Sequence, residues 1–458
     1  MVLRRGGGRD GEVGRDEARR DEAGSHWLQR QLRWQRALRQ TQPESAHFLL
    51  LRPGDRYTMC DGRGESDLRK ACKRMKEPSR PRRAEEHWDD YMLDGRPGAM
   101  RPIPGLGNIV LSLVSAALTA AVSGRVLLVE NFTAAALTFG EPLTELLYEN
   151  STWRPYVEAE QRAGRAVDWW AAHDGRGAFE HFCADDLRAE PRPKVLRVFS
   201  NLYYAPLLML NPHHRAELEA FATQPILPPN RFPRAVASKD GAAYSTGLWP
   251  QAVRTLLRPR PSLLASARRF TRANFPRTGI VLGMHIRTSM TDDQRQQSVN
   301  CVKQVVAKAN ASALLIVSMH LKEIEQFAAR LALTVKVLRA PPAPEFQSAG
   351  ADHLSAAMLD VLHLASTDGL LISRASTYGY LISGVAHRPV TVFSSTGQVS
   401  TEGLFKGVGT CDLVPSTEPV FHLMGTAVRG NPSCRAAAFA SGSLPPPSEM
   451  FRISSLNY

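Results

Sequence analysis

Arg287 stands directly after the most apolar strand-like run of the chain, Ile280–Ile286, in the motif Met284-His-Ile-Arg287. The carboxyl end of a parallel strand aims its next side chain into the crevice above the sheet. A guanidinium there binds phosphate through two N–H groups and keeps its charge throughout a reaction. A capping or salt-bridging arginine fits the same spacing. A second candidate is Ser373-Arg-Ala-Ser-Thr-Tyr-Gly-Tyr380, which follows a strand-like run at 369–373 and enters a helical pattern. Ser376 and Thr377 occupy its N-cap region, where hydroxyls and unpaired N–H groups cradle an anion. A third is Pro104-Gly-Leu-Gly-Asn108, a glycine turn before a long apolar run. It is neither a full dinucleotide fingerprint nor a phosphate loop ending in Gly-Lys-Ser/Thr.

What is missing narrows the chemistry. No Asp-x-Asp occurs, and the Asp-Asp pairs at 89–90, 185–186 and 292–293 have no strand-end setting. The carboxylate pair that holds a divalent ion is therefore absent. No Gly-x-Ser-x-Gly elbow or Cys/His arrangement suggests covalent catalysis. An arginine with helix-end amides, and no metal, suits departure of a nucleoside diphosphate from a sugar.

These residues need a scaffold. Strand-like runs lie at 126–129, 194–199, 207–210, 280–286, 313–318, 333–338, 369–373 and 389–393, with helical patterns at 297–309, 321–331, 354–364 and 377–385. Alternating strands and helices predict parallel sheets in an α/β architecture. Two blocks result, one at 101–275 and a better-defined one at 276–415, with an extension at 416–458. Two such domains facing each other leave a ligand cleft. Residues 1–46 read as a disordered, charged tail containing an amphipathic helical pattern at 26–42, and 47–100 as a polar stem or wrap.

Bulk properties set the outer limits. The 458 residues carry a net charge of +13, with 22% charged and 43% hydrophobic side chains. No basic block with interleaved aromatics stands out, which argues against nucleic acid. Six cysteines lack zinc spacing, and sequons at Asn131, Asn150 and Asn310 give slight support to a lumenal address. The first residues form neither a signal peptide nor an anchor. The uncharged stretch 102–124 is long enough to test as a membrane span, yet its glycines and the following Arg125-Val-Leu-Leu-Val129 read better as turn, helix and strand.

Taken together, the motifs resemble the plant and algal xyloglucan-type α-1,2-fucosyltransferases, galactoside 2-α-L-fucosyltransferases. Gly105-Leu-Gly-Asn-Ile-Val-Leu-Ser112, Ser200-Asn-Leu-Tyr-Tyr-Ala-Pro206, Gly283-Met-His-Ile-Arg287, the spacing of Gln347, His353, Asp360 and Asp368, Ser373 to Tyr380, and Cys411 before Glu418-Pro-Val-Phe-His422 come in the family's order. The resemblance implies a GT-B fold, two Rossmann-like domains around a cleft, and inverting transfer of fucose from GDP-fucose without a metal or other cofactor. It implies a galactose-terminated glycan acceptor in cell-wall polysaccharide or proteoglycan, and a Golgi-lumenal glycoprotein held to the membrane by an N-terminal anchor that this chain does not visibly carry.

Residue by residue, Arg287 would neutralise the donor diphosphate, and His285, Ser373, Ser376, Thr377, Tyr378 and Gly379 would complete the donor site. Gly105, Gly107, Asn108, Tyr203 and Tyr204 would line the cleft on the acceptor side. Asp360 and His353 are the candidates to take the attacking hydroxyl's proton, although their helical spacing suits structural residues equally and no base is assigned. Three departures stand out: Ile109 for an arginine, Ala375 for a tryptophan, and Val420 for a cysteine, which removes an expected disulfide. They motivate one alternative, a catalytically impaired relative that binds glycan or GDP. Transfer from another nucleotide sugar is the other.

Overall fold

Uncharged runs of Val, Leu, Ile and Phe become the strands of two sheets. A computed structural model describes residues 26–53, 105–130, 132, 135–171, 179–200, 202–222, 248–287, 290–318, 320–340, 352–373, 376–388, 390–393, 411–414, 419 and 432–434. The first sheet contains β1 (Phe48–Pro53), β2 (Val126–Val129), β3 (Ala166–Ala171) and β4 (Val195–Ser200), all parallel in the order β2-β1-β4-β3. Around it lie α1 (His26–Thr41), α2 (Leu106–Ser123), α3 (Ala135–Thr138), α4 (Arg154–Arg162), α5 (Phe179–Ala184), α6 (Ala205–Leu210), α7 (Arg215–Ala222), α8 (Leu248–Leu256) and α9 (Pro261–Asn274).

Three sequence-based expectations change here. The supposed polar stem supplies β1, a central strand whose Phe48–Leu51 core is buried on both faces. Four apolar residues between charged neighbours were enough, because covered parallel strands are apolar throughout rather than alternating; the remainder of the stem, 54–100, lies outside the described residues. Within the supposed tail, α1 is formed and docked. Leu32 and Gln35 are buried, and Gln31 and Gln35 donate to the Arg125 carbonyl at 3.1 and 3.4 Å. The run 207–210 is helical in α6, not a strand: Pro206 sits in its first turn, and burial of the whole helix explains its apolar composition.

Helix α2 is long and apolar enough to cross a membrane by composition, but it is buried almost throughout in the protein core. Its Ser112, Ser115, Thr119 and Ser123 hydroxyls donate to carbonyls three or four residues back, which satisfies them inside the core. Gly124, at φ 63°, ends the helix in the left-handed conformation and turns the chain into β2.

The second sheet contains β5 (Ile280–Ile286), β6 (Ala311–Ser318), β7 (Lys336–Arg339), β8 (Gly369–Ser373), β9 (Val390–Phe393) and β10 (Cys411–Val414). Its order is β10-β9-β8-β5-β6-β7, with only β10 antiparallel. Strand β7 is shorter than the expected 333–338; Leu333 is fully exposed in the preceding turn. The helices are α10 (Asp292–Ala309), α11 (Leu321–Leu331), α12 (Asp352–Ala365) and α13 (Thr377–Ala386). Helix α10 begins five residues before the apolar pattern because Thr291 and Gln294 form a reciprocal capping box. The chain runs β5, β6, β7 in one direction and then returns to build β8 and β9 on the other side of β5. The β5/β8 seam is therefore the topological switch point, where open α/β sheets bind ligands.

Helix α13 joins the halves by packing on α12, α2 and α8. Gly384 admits the Trp249 ring of α8, whose Nε1–H donates to the Tyr380 carbonyl at 2.9 Å. Two disulfides add covalent ties: Cys301–Cys411 links α10 to β10, and Cys183–Cys434 links α5 to the C-terminal extension. Cys411 thus has a partner even though position 420 is valine.

Candidate active site

Two strand ends meet at the switch point. Ser373 closes β8, and its hydroxyl donates to the His285 carbonyl at 3.2 Å while accepting the Arg287 N–H at 3.0 Å. This fully buried hydroxyl is occupied by the two strands, so it fixes where Arg287 leaves β5 rather than reaching a ligand. Arg287 itself is half-buried, and burial holds its guanidinium below its ordinary pKa. Beyond it, Arg295 and Glu323 form a buried ion pair, and the same carboxylate accepts the Met290 N–H at 3.0 Å. Met290 is thereby tied to α11.

The next element is the start of α13. Ser376 caps it, accepting the Gly379 N–H at 3.0 Å. Its hydroxyl also lies 3.3 Å from His285 Nδ1. Burial, reinforced by the Arg287 charge, lowers the His285 pKa to about 3, so this imidazole is neutral. Tyr378 lies beside it, with ring centroids 4.9 Å apart. The Tyr378 hydroxyl donates to the Ala357 carbonyl of α12, and burial, with Asp360 nearby, raises its pKa well above the ordinary value. Asp360 is half-buried on the same helix, and burial raises its carboxyl to about 7. Gly379 lets α13 lie close on β8, because a Cβ there would fall 2.9 Å from Cβ of Ile372.

The N-terminus of α2 comes to the same place. A Cβ on Gly107 would lie 2.7 Å from both the Thr377 carbonyl carbon and the Tyr378 nitrogen. Only glycine allows the first turn of α2 to touch the first turn of α13 backbone to backbone. The positive ends of two helix dipoles therefore meet next to His285, which also feels the Arg287 charge. Gly105 has no such constraint, since nothing lies within 4 Å of its Cβ position. Asn108 is half-buried one residue beyond the contact.

Other expected site residues lie elsewhere. Tyr203 and Tyr204 belong to the core rather than the cleft wall, because both rings are fully buried. Tyr203 packs edge-on against Trp249, and Tyr204 stacks on Phe182. His353 lies on α12 two turns before Asp360, and its side chain is outside the described residues, as is Ala375. Asp368 is a scaffold group whose carboxylate accepts the Val281 N–H at 2.8 Å, setting the start of β5. Trp249, which anchors α13, was not anticipated; a lone tryptophan carries no spacing signal.

No protein-family model matches the chain, and no curated protein sequence does. Among solved structures, it is similar to a point mutant of Arabidopsis thaliana FUT1 in complex with GDP. The identity is 16% and the TM-score 0.56, over 87% of this chain and 84% of that one. The fold is GT-B-like. Weaker likenesses are to the Bradyrhizobium NodZ α-1,6-fucosyltransferase soaked with GDP-fucose (14% identity, TM-score 0.39, 65% of this chain and 94% of that one) and to POFUT1 in complex with GDP (12%, 0.39, 77% and 99%). At those TM-scores they carry no argument about this chain.

Proposed function

We propose that this GT-B-like chain is an inverting, metal-independent fucosyltransferase that uses GDP-fucose and a galactose-terminated glycan, forming an α-1,2 linkage. The observation that carries the reading is the backbone contact between the first turns of α13 and α2 at the β5/β8 switch point, where Arg287 follows β5. That arrangement suits a diphosphate, whose charge increases as its bond to the sugar breaks. In the step we assign, the acceptor oxygen attacks the anomeric carbon, and the carbon–oxygen bond to the β-phosphate breaks with its electron pair on GDP. The hydroxyl proton passes to the Asp360 carboxylate or through water to solvent. A carboxyl titrating at about 7 is half ionised at neutral pH, which suits a general base.

Metal independence is part of the proposal. Among the described residues, no three His, Cys, Asp or Glu side chains gather as a ligand set. Arg287 and the helix amides are the groups assigned to balance the leaving charge. The plant cell-wall acceptor, the Golgi-lumenal address and the membrane anchor rest on the family resemblance of the motifs, and no nucleic-acid partner is proposed.

The test is GDP release by the purified full chain with GDP-fucose, other GDP-sugars and UDP-sugars, galactose-terminated acceptors, and EDTA present or absent. Acceptor-dependent release that prefers GDP-fucose and survives EDTA is expected, with an α-linked product by NMR. Preference for another donor overturns the fucose assignment, and loss in EDTA overturns the metal-free step. GDP binding without turnover supports the catalytically impaired relative suggested by the departures at Ile109, Ala375 and Val420.

A further inference from the structure

A cavity of about 540 Å³ opens at the opposite end of α2 from the candidate active site. An 18-residue helix separates the two by roughly 27 Å. Its lining includes Arg30 and Trp34 of α1, Gly124, and Arg188, Arg192 and Glu217. Three guanidinium groups thus face one carboxylate. The Arg188 side chain donates to Glu217 at 2.6 Å. Arg192 donates to Glu190 at 2.9 Å and to the Ser123 carbonyl at 2.6 Å. Arg30 is exposed and has no ion-pair partner among the described residues. Trp34 is 37% exposed one turn further along the same helix.

The ground behind the cavity is positive too. Arg125 is 2% exposed, and one of its nitrogens donates to the Phe48 and Pro193 carbonyls. Its Nε has no hydrogen-bond partner, and no carboxylate lies within bonding reach of it among the described residues. His47 nearby is held down to about 4 by burial and then by the charges of Arg192, Lys194 and Arg125. A partly exposed tryptophan and three arginines lining one shallow, open pocket suit a sugar ring that carries an anionic substituent. The ring stacks on the indole and the oxyanion takes paired N–H bonds. A membrane-binding helix would instead present a convex apolar face.

We propose that this groove is a second carbohydrate site, which holds a uronate or sulfated sugar of the acceptor chain remote from the residue being modified. Calling the ligand an acceptor rests on the function proposed above; the binding itself does not. The full chain is titrated with oligogalacturonate, a sulfated galacto-oligosaccharide and a neutral galacto-oligosaccharide, followed by calorimetry and tryptophan fluorescence. Phosphatidylserine vesicles form a fourth arm. Saturable binding of at least one anionic sugar is expected, and the uronate and sulfate arms identify which. Arg30→Glu/Arg188→Glu should weaken it about tenfold or more, as expected for losing charge-assisted hydrogen bonds. Trp34→Phe should remove most of the fluorescence change. Arg30→Glu alone serves if loss of the Arg188–Glu217 pair unfolds α7. Equal binding of the neutral sugar, unchanged affinity in the charge-reversed variants, or binding only to vesicles overturns the proposal. The GDP-induced rise in Tm reports the other site independently. If it is absent while the anionic sugar still binds, the donor assignment fails and the groove stands; the reverse result overturns the groove alone.

Discussion

Gly107→Ala sets two known effects against each other. Alanine in place of glycine near the start of α2 gains up to about 1 kcal/mol from helix propensity and a less free unfolded chain. Against this, the new methyl would lie 2.7 Å from the Thr377 carbonyl carbon and the Tyr378 nitrogen, and 2.9 Å from Thr377 Oγ1. Two of these three atoms are backbone in the first turn of α13, so no rotamer change relieves them. Overpacking of this kind costs about 1–3 kcal/mol, and a backbone neighbour places it towards the upper end. The expected net effect is a loss of about 1–2 kcal/mol in folding free energy. Relief requires the first turns of α2 and α13 to separate, so the same substitution should weaken GDP binding and raise the donor KM. Gly105→Ala is the control: its φ of −56° and ψ of 148° suit any residue, and its Cβ meets nothing. Denaturant unfolding gives the stability term, and GDP-induced thermal shift gives the site term. If Gly107→Ala matches the parent in both, or if Gly105→Ala is equally damaging, then the backbone contact between the two helices does not build the site.

Other outcomes follow from individual groups. Arg287→Ala should fold and lose roughly 10²-fold or more in the rate of GDP release; near-normal turnover would remove Arg287 from the site. Burial holds His47, His214 and His363 near 4 and His285 near 3, below the free imidazole, so the unfolded chain binds more protons between pH 4 and 6.5 and stability should rise with pH there. Asp360 opposes that slope: its folded pKa of about 7 is above the unfolded value, so its stabilising contribution is present at low pH and lost as pH rises towards 7. Asp360→Asn should therefore steepen the measured rise, and should remove any rate increase through about pH 7. Replacing Cys183 and Cys434 together removes a link between residues 251 apart in sequence and should cost on the order of 2–5 kcal/mol by denaturant unfolding.

Strands β5, β6, β8 and β9 of the second sheet were legible from the sequence because they are apolar, free of Asp, Glu, Lys and Arg, and alternate with helical patterns; β7, with Lys336 and Arg339, was placed three residues early, and β10, with Asp412, was not anticipated. The 369–373 strand and the Ser376 cap appear where hydrophobic runs and N-cap chemistry place them. Short runs were harder. Phe48–Leu51 and 207–210 are both four-residue apolar stretches, yet one is a central strand and the other a buried helix. Periodicity cannot separate them at that length; Pro206 was the available signal for the helix. The Ser373 hydroxyl illustrates a different limit. Its place at a strand end was visible, but its two backbone partners come from a strand 86–88 residues earlier, so its role as a clip for Arg287 needed the fold. Tyr203 and Tyr204 were placed at the cleft by the resemblance of their segment to the family's, whereas the aromatic partners that bury them come from α5 and α8.

The same reasoning bears on Ile109. It is 3% exposed among the core residues of α2, two positions beyond the Gly107 contact. An arginine in the surroundings of this chain would bury a guanidinium among apolar neighbours, at a cost far above that of a missing surface charge. The departure is thus matched by its packing, and it need not mean that an anion site has lost its cation. Among the described residues, Arg287 is the cation that follows β5 at the switch point, and Gly107 brings the positive ends of two helices together. On the proposed function, holding a diphosphate depends on the close contact between α2 and α13 more than on one additional arginine. A stable packing between α2, α8 and α13 is then a requirement for donor binding as well as for folding. It follows that Trp249→Phe, which removes the 2.9 Å bond to the Tyr380 carbonyl without touching the site, should raise the donor KM while lowering stability by about 1–3 kcal/mol. A Trp249→Phe protein that loses stability but keeps its donor KM would show that the two requirements are separate.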